Sequence, residues 1–190
     1  GMGETAENLA QELSISREDQ EDFAINSHRK ALKAQSEGKF DNEITSININ
    51  GESVDKDEGP REPDIEKIKS LKPAFDVNGT ITPATSSPIS IGASMVAISN
   101  EERAKELSLK PKFRILGRSV VGVNWKVMGS GPLPATEKVL KKCSMNMGDI
   151  DVIELNEAFA AQSLYVVRKG NWDESKINLN GGAIALGHPL

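Results

Sequence analysis

With 190 residues, 37% of them hydrophobic and 27% charged, the chain has the composition of a globular protein and enough length for one large or two small cores. A formal net charge of −5, with its Lys141-Lys142 pair isolated, argues against a nucleic-acid partner, which leaves a clustered basic footprint. No uninterrupted apolar run approaches the roughly 18 residues of a membrane span; the one cysteine excludes an internal disulfide, and two histidines cannot assemble a zinc ligand set by spacing.

The start, Gly1-Met2-Gly3-Glu4, shows no targeting signal. Thr5 is placed to cap a helix through Leu13, and Ser16-Arg17-Glu18-Asp19 to open a second one with acidic residues in its first turn; Gly38 stops it. Between Phe40 and Lys56, Ile44, Ile47, Ile49 and Val54 alternate with polar residues around Asn50-Gly51, which predicts a hairpin. Gly59-Pro60 through Pro63 breaks the chain before a short helix over 64–71. Gly92 to Ser99 reads as a buried strand, followed by a helix capped at Ser99 or Asn100 that ends before Pro111. A strand over 113–123, a Gly/Pro-rich loop over 128–134, a helix over 135–143, a short strand Val152–Leu155 and a helix over 158–168 complete the pattern. Strands alternating with helices predict a layered α/β fold, with the polar, loop-rich first region as a lid.

Three stretches carry candidate chemistry. Asn156-Glu157-Ala158-Phe159 follows a predicted strand, at the end where open α/β sheets bind ligands; Asn156 either holds a water or substrate there or caps the next helix. In Asn180-Gly181-Gly182 through Gly187-His188-Pro189, the glycines permit close approach and an unusual backbone. His188 is then a general base, a donor to a developing oxyanion, or a structural residue. The Thr85-Ser86-Ser87-Pro88 loop offers hydroxyls and free N–H groups.

Together these residues resemble the thiolase family. Its signatures stand here as Asn156-Glu-Ala-Phe-Ala-Ala161 and Asn180-Gly-Gly-Ala-Ile-Ala-Leu-Gly-His-Pro189, supported by Met2-Gly3, Leu71-Lys-Pro-Ala-Phe75 and Met128-Gly129. The resemblance implies a partial thiolase-like layered α/β fold, with 1–80 part of the loop (lid) domain, 81–110 the end of the N-terminal domain and 111–190 part of the C-terminal domain. It implies an acyltransferase that cleaves 3-ketoacyl-CoA with coenzyme A, or condenses acetyl-CoA, by ping-pong covalent catalysis. Coenzyme A and its thioesters are the substrates, with no separate cofactor and no metal, and the full-length form is expected to be a homo-oligomer. His188 would activate a nucleophilic cysteine, and with a water held by Asn156 it would form an oxyanion hole. Ser87 matches a serine that contacts the pantetheine arm, and Met2 and Phe159 match pocket-lining positions.

The resemblance covers about the middle half of a thiolase, so the nucleophilic cysteine and the second, Cys-x-Gly cysteine both fall outside it. Cys143 replaces neither; it belongs to a helix end, as a buried or half-buried thiol. Ile91-Gly92-Ala93-Ser94 also departs from the family's usual Asp-Gly-Ala-Ala. The 190 residues alone are expected to be inactive, and a second reading makes them a non-catalytic coenzyme A-binding or assembly module.

Overall fold

The structure, a computed structural model, describes residues 1–189. Helix α1 spans Met2–Glu12 and α2 spans Arg17–Ser36. The first begins earlier than the sequence predicts. Thr5 does not cap it, because its hydroxyl donates back to the Met2 carbonyl (2.7 Å) from inside the helix. The start of α2 is as expected: Ser16 Oγ accepts from the Asp19 N–H (3.0 Å), and the Asp19 carboxylate accepts from the Ser16 N–H (3.2 Å), a reciprocal cap. Gly38, at φ +67°, follows its end.

Strands β1 (Ile47–Ile49) and β2 (Glu52–Val54) pair antiparallel around Asn50 and Gly51, both at positive φ; this is the predicted hairpin, and it stands exposed. Helix α3 (Ile65–Ser70), capped by Asp64, buries none of its residues. Arg17 holds it instead, donating from Nη2 to the carbonyls of Ile68, Lys69 and Leu71 (2.7–3.3 Å) while its Nε bonds Glu21. One guanidinium thus gathers the carbonyls at the end of α3, where the helix's own N–H groups run out.

The strands predicted over 92–99 and 113–123 do not form. Both stretches are unpaired coil, and Ile91, Met95, Val96, Ile98, Phe113, Ile115, Leu116 and Val120 are exposed. A strand needs a neighbouring strand for its N–H and C=O groups, and among the described residues none pairs with them. Helix α4 (Glu101–Glu106) between them starts at Asn100, whose Oδ1 accepts from the Arg103 N–H (2.8 Å), and stops short of the expected end, with Ser108 in the left-handed region.

Helix α5 (Pro132–Lys142) begins three residues earlier than predicted. Prolines 132 and 134 lie in its first turn, where no intrahelical N–H bond is required, so they open the helix rather than delay it. The predicted strand 152–155 reduces to one parallel bridge between Ile153 and Ile177. Helix α6 (Ala160–Gly170) has Phe159, not Asn156, at its N-cap, and α7 is the single turn Ala183–Leu186.

The core gathers around α6, whose residues 160–167 are all buried. Leu9 and Ala10 of α1 meet Leu164, Tyr165, Val166 and Trp172, with Ile81 and Leu155 closing the cluster. Burying side chains such as Leu9 contributes on the order of 2 kcal/mol each. A buried carboxylate, Glu7 on α1, accepts from the backbone N–H groups of Thr80 (2.9 Å) and Ile81 (2.8 Å) and pins the chain that leads into the Thr85 loop. No described helix is long and apolar enough to cross a membrane.

Candidate active site

Two of the predicted stretches meet at one point. Asn156 Nδ2 lies 3.3 Å from His188 Nε2 across 32 residues of sequence. With the imidazole proton on Nδ1, the amide donates to Nε2. Asn156 is exposed and His188 half-buried, so both side chains face space that a ligand can reach. Because Asn156 does not cap α6, its amide is free for this contact.

The third stretch joins them. The Ser87 N–H donates to the Ala158 carbonyl (3.0 Å), and Ser86 bridges Phe159, so the serine loop runs antiparallel beside the Asn156 stretch. Two residues beyond Pro88, Ser90 Oγ accepts from the His188 N–H (2.8 Å). Gly187 before it has φ +102° and abuts Ser90; a side chain there would be strained and would displace the hydroxyl that holds His188. Ser90 was not among the sequence candidates, since an isolated loop serine carries no pattern.

Phe159 packs edge-to-face on Phe75, with centroids 5.6 Å apart and planes at 86°. Gly3 lies directly against the Phe75 ring and leaves no room for a Cβ. Met2 itself is exposed at the start of α1. Met2 and Phe159 are therefore linked through the Gly3–Phe75 contact. Cys143 sits at the C-cap of α5, half-buried against Gly117, as a helix-end thiol.

A second feature was not foreseen. Between α2, α3 and the turn at Pro83 lies a cleft lined by His28, Arg61, Lys67, Ile68, Leu71 and Pro83. Two basic residues, Arg61 and Lys67, share it with two acidic ones, Glu62 and Asp64, and with the apolar Ile68 and Leu71. Burial, and then the neighbouring Arg61 charge, push the His28 pKa below its usual value, and the neutral ring accepts from the Arg61 N–H through Nδ1 (3.4 Å). The sequence signal was there, as basic residues on either side of a Pro-bounded break, but it is no stronger than that of any solvated loop. Among the described residues no group of His, Cys, Asp and Glu could hold a metal ion.

The chain is similar to known proteins along its whole length. Residues 1–102 match the family described as thiolase, N-terminal domain, and residues 109–190 match thiolase, C-terminal domain. The chain belongs to the thiolase family. It is 49% identical over 195 residues to a probable acetyl-CoA acyltransferase of Staphylococcus aureus (strain COL), an alignment covering 100% of this chain and 50% of that protein. Among solved structures, human mitochondrial 3-ketoacyl-CoA thiolase in complex with CoA superposes with a TM-score of 0.93 at 38% identity, covering 100% of this chain and 48% of that one. The Bacillus anthracis acetyl-CoA acetyltransferase gives 0.88 at 42% identity, covering 99% and 49%. The fold is thus a partial thiolase-type α/β fold, and the chain spans about half the length of the curated relatives it matches.

Proposed function

We propose that the protein containing these residues is an acyl-CoA thiolase, and that His188 and Asn156 form half of its catalytic centre. The observation that carries this reading is the 3.3 Å approach of Asn156 to His188, which joins the two family signatures at one accessible point. In the degradative direction, a cysteine thiolate contributed from outside these residues attacks the 3-keto carbonyl carbon. The C2–C3 bond breaks, its electron pair leaves as the enolate of acetyl-CoA, and the enolate takes up a proton. The acyl group stays on the cysteine as a thioester until the coenzyme A thiol attacks it and frees the cysteine.

His188 serves as the base that takes the cysteine proton. With Asn156 it supplies donors to the oxygen on which negative charge develops, directly or through a held water. Ser87, on the loop beside Ala158, is placed for the amides of the pantetheine arm, and Phe159 and Met2 for its apolar surroundings. The cleft between α2 and α3 is assigned to the nucleotide-bearing end of coenzyme A, with Arg61 and Lys67 as donors to phosphate and Ile68 and Leu71 as the apolar surface for a ring, beside the carboxylates of Glu62 and Asp64.

The covalent intermediate gives the test. The full-length protein, mixed with acetoacetyl-CoA and quenched, is digested and examined by mass spectrometry for an acetylated peptide. The reading expects acetylation of a cysteine outside these 190 residues. Acetylation of Cys143, or of no cysteine while cleavage proceeds, would contradict it.

A further inference from the structure

We propose that Glu157 is a positioning residue, whose buried carboxylate clamps the two signature stretches together and so sets the approach of Asn156 to His188. The inference rests on the thiolase reading for its catalytic meaning, but the geometry stands without it. Glu157 is 2% exposed. One carboxylate oxygen, Oε2, accepts from Ser27 Oγ on α2 (2.6 Å) and from the Ile184 N–H on α7 (3.2 Å); the other, Oε1, accepts from Asn178 Nδ2 (2.8 Å). None of these partners is a cation. A buried carboxylate held only by neutral donors is a costly way to fill space, and an apolar residue would do so more cheaply. Its usefulness lies in the directions it fixes.

Those directions converge on Asn156. On one side of it, Asn178 grips Leu155: its Oδ1 accepts from the Leu155 N–H and its Nδ2 donates to the Leu155 carbonyl, both at 2.8 Å. On the other side, Glu157 is fastened to α2, to Asn178 and to α7. Ser27 Oγ also accepts from the Gly182 N–H (3.1 Å), so the carboxylate, the hydroxyl and the turn leading to His188 form one connected network. Asn156, exposed, is thereby located by its two buried neighbours. Gly182 packs directly on the carboxylate, with no space for a Cβ.

Replacing Glu157 by Gln keeps the shape but turns one acceptor into a donor. With Oε1 facing Asn178, the new NH2 meets the Ile184 N–H, and the network cannot be satisfied in full. Displacement of catalytic groups by a fraction of an ångström to 1 Å costs up to about 100-fold in rate. In the full-length protein, Glu157→Gln is therefore expected to lower kcat for acetoacetyl-CoA cleavage about 10- to 100-fold while KM changes less than about threefold, because the Arg61–Lys67 cleft is untouched. A milder variant, Ser27→Ala, removes one donor and is expected to lower kcat by a smaller factor with KM again unmoved.

A second readout needs no activity. NMR of the full-length protein labelled on histidine follows the His188 imidazole signal, assigned by its loss in His188→Ala, and the His28 signal, assigned in the same way through His28→Ala, serves as the reference. Glu157→Gln is expected to move the His188 signal and to leave that of His28 in place. Where Glu157→Gln does not fold, the His188 signal of Ser27→Ala is expected to move in its stead. A folded Glu157→Gln protein with unchanged kcat and an unmoved His188 signal would overturn the inference, as would an unmoved His188 signal in Ser27→Ala. A wild-type protein that cleaves no thioester would overturn the thiolase reading alone, and the His188 signal would still decide the role of Glu157.

Discussion

Gly182 has extended dihedrals, φ −138° and ψ −165°, that any residue adopts, so space rather than conformation demands glycine there. A Cβ would intrude on the Glu157 carboxylate. Gly182→Ala should accordingly destabilise the fold by about 1–3 kcal/mol, the usual cost of overpacking, measured as a lower urea midpoint at unchanged slope. A midpoint equal to wild type would show that the contact relaxes without cost. Gly181 differs: its φ of +84° asks for glycine before any packing is considered. At this scale the sequence was informative about His188 and Asn156, because a long signature surrounds each. It was silent about Ser27, Ser90 and Asn178, which hold them. Their hydroxyls and amide act across 155, 98 and 23 residues of chain, and no local spacing records such contacts.

Helix α2 shows why some elements were readable and others were not. Its start is written in four consecutive residues, Ser16 to Asp19, and the structure uses them as the sequence suggests. Asp19 also reaches α6, where Arg168 binds both of its carboxylate oxygens at 3.0 Å. That hydrogen-bonded guanidinium, assisted by the Ser16 hydroxyl and N–H, outweighs the opposing effect of partial burial and holds the Asp19 pKa at about 2 against an ordinary 3.8. A depressed carboxylate contributes stability above its unfolded value and loses it as protons bind to the folded form. The α2–α6 tie should therefore weaken as pH falls from about 4 toward about 2. Thermal melts of wild type and Arg168→Gln over this range check the point: the stability difference between them should shrink on acidification, and a constant difference would rule out the ion pair as its source. Both side chains remain more than a third exposed, so the effect is modest and is screened by salt. The failed strands are the opposite case. The stretches 92–99 and 113–123 have the composition of strands, but a strand exists only with a partner, and partners are not a local property.

For the molecule as a whole, the helices α1, α2 and α6 form a packed unit, while Ile89 to Ile98 and Phe113 to Val120 present apolar surface to solvent. Exposed runs of this kind are unusual on a monomeric globular surface. The Asn156–His188 contact lies in the packed unit: Asn156 follows Leu155, which belongs to the core, and His188 follows α7, which Glu157 and Ser27 bind to α2. On the proposed reading this contact is half of the catalytic centre, held in place before any ligand binds.

The most direct test of that account is the turnover of acetoacetyl-CoA and coenzyme A by the full-length protein bearing His188→Ala, compared with wild type at matched thermal stability. Loss of base and donor together predicts a fall in kcat of about 100- to 10,000-fold. A folded His188→Ala protein that turns over at the wild-type rate would contradict the central claim and leave the Gly-His-Pro stretch a structural turn.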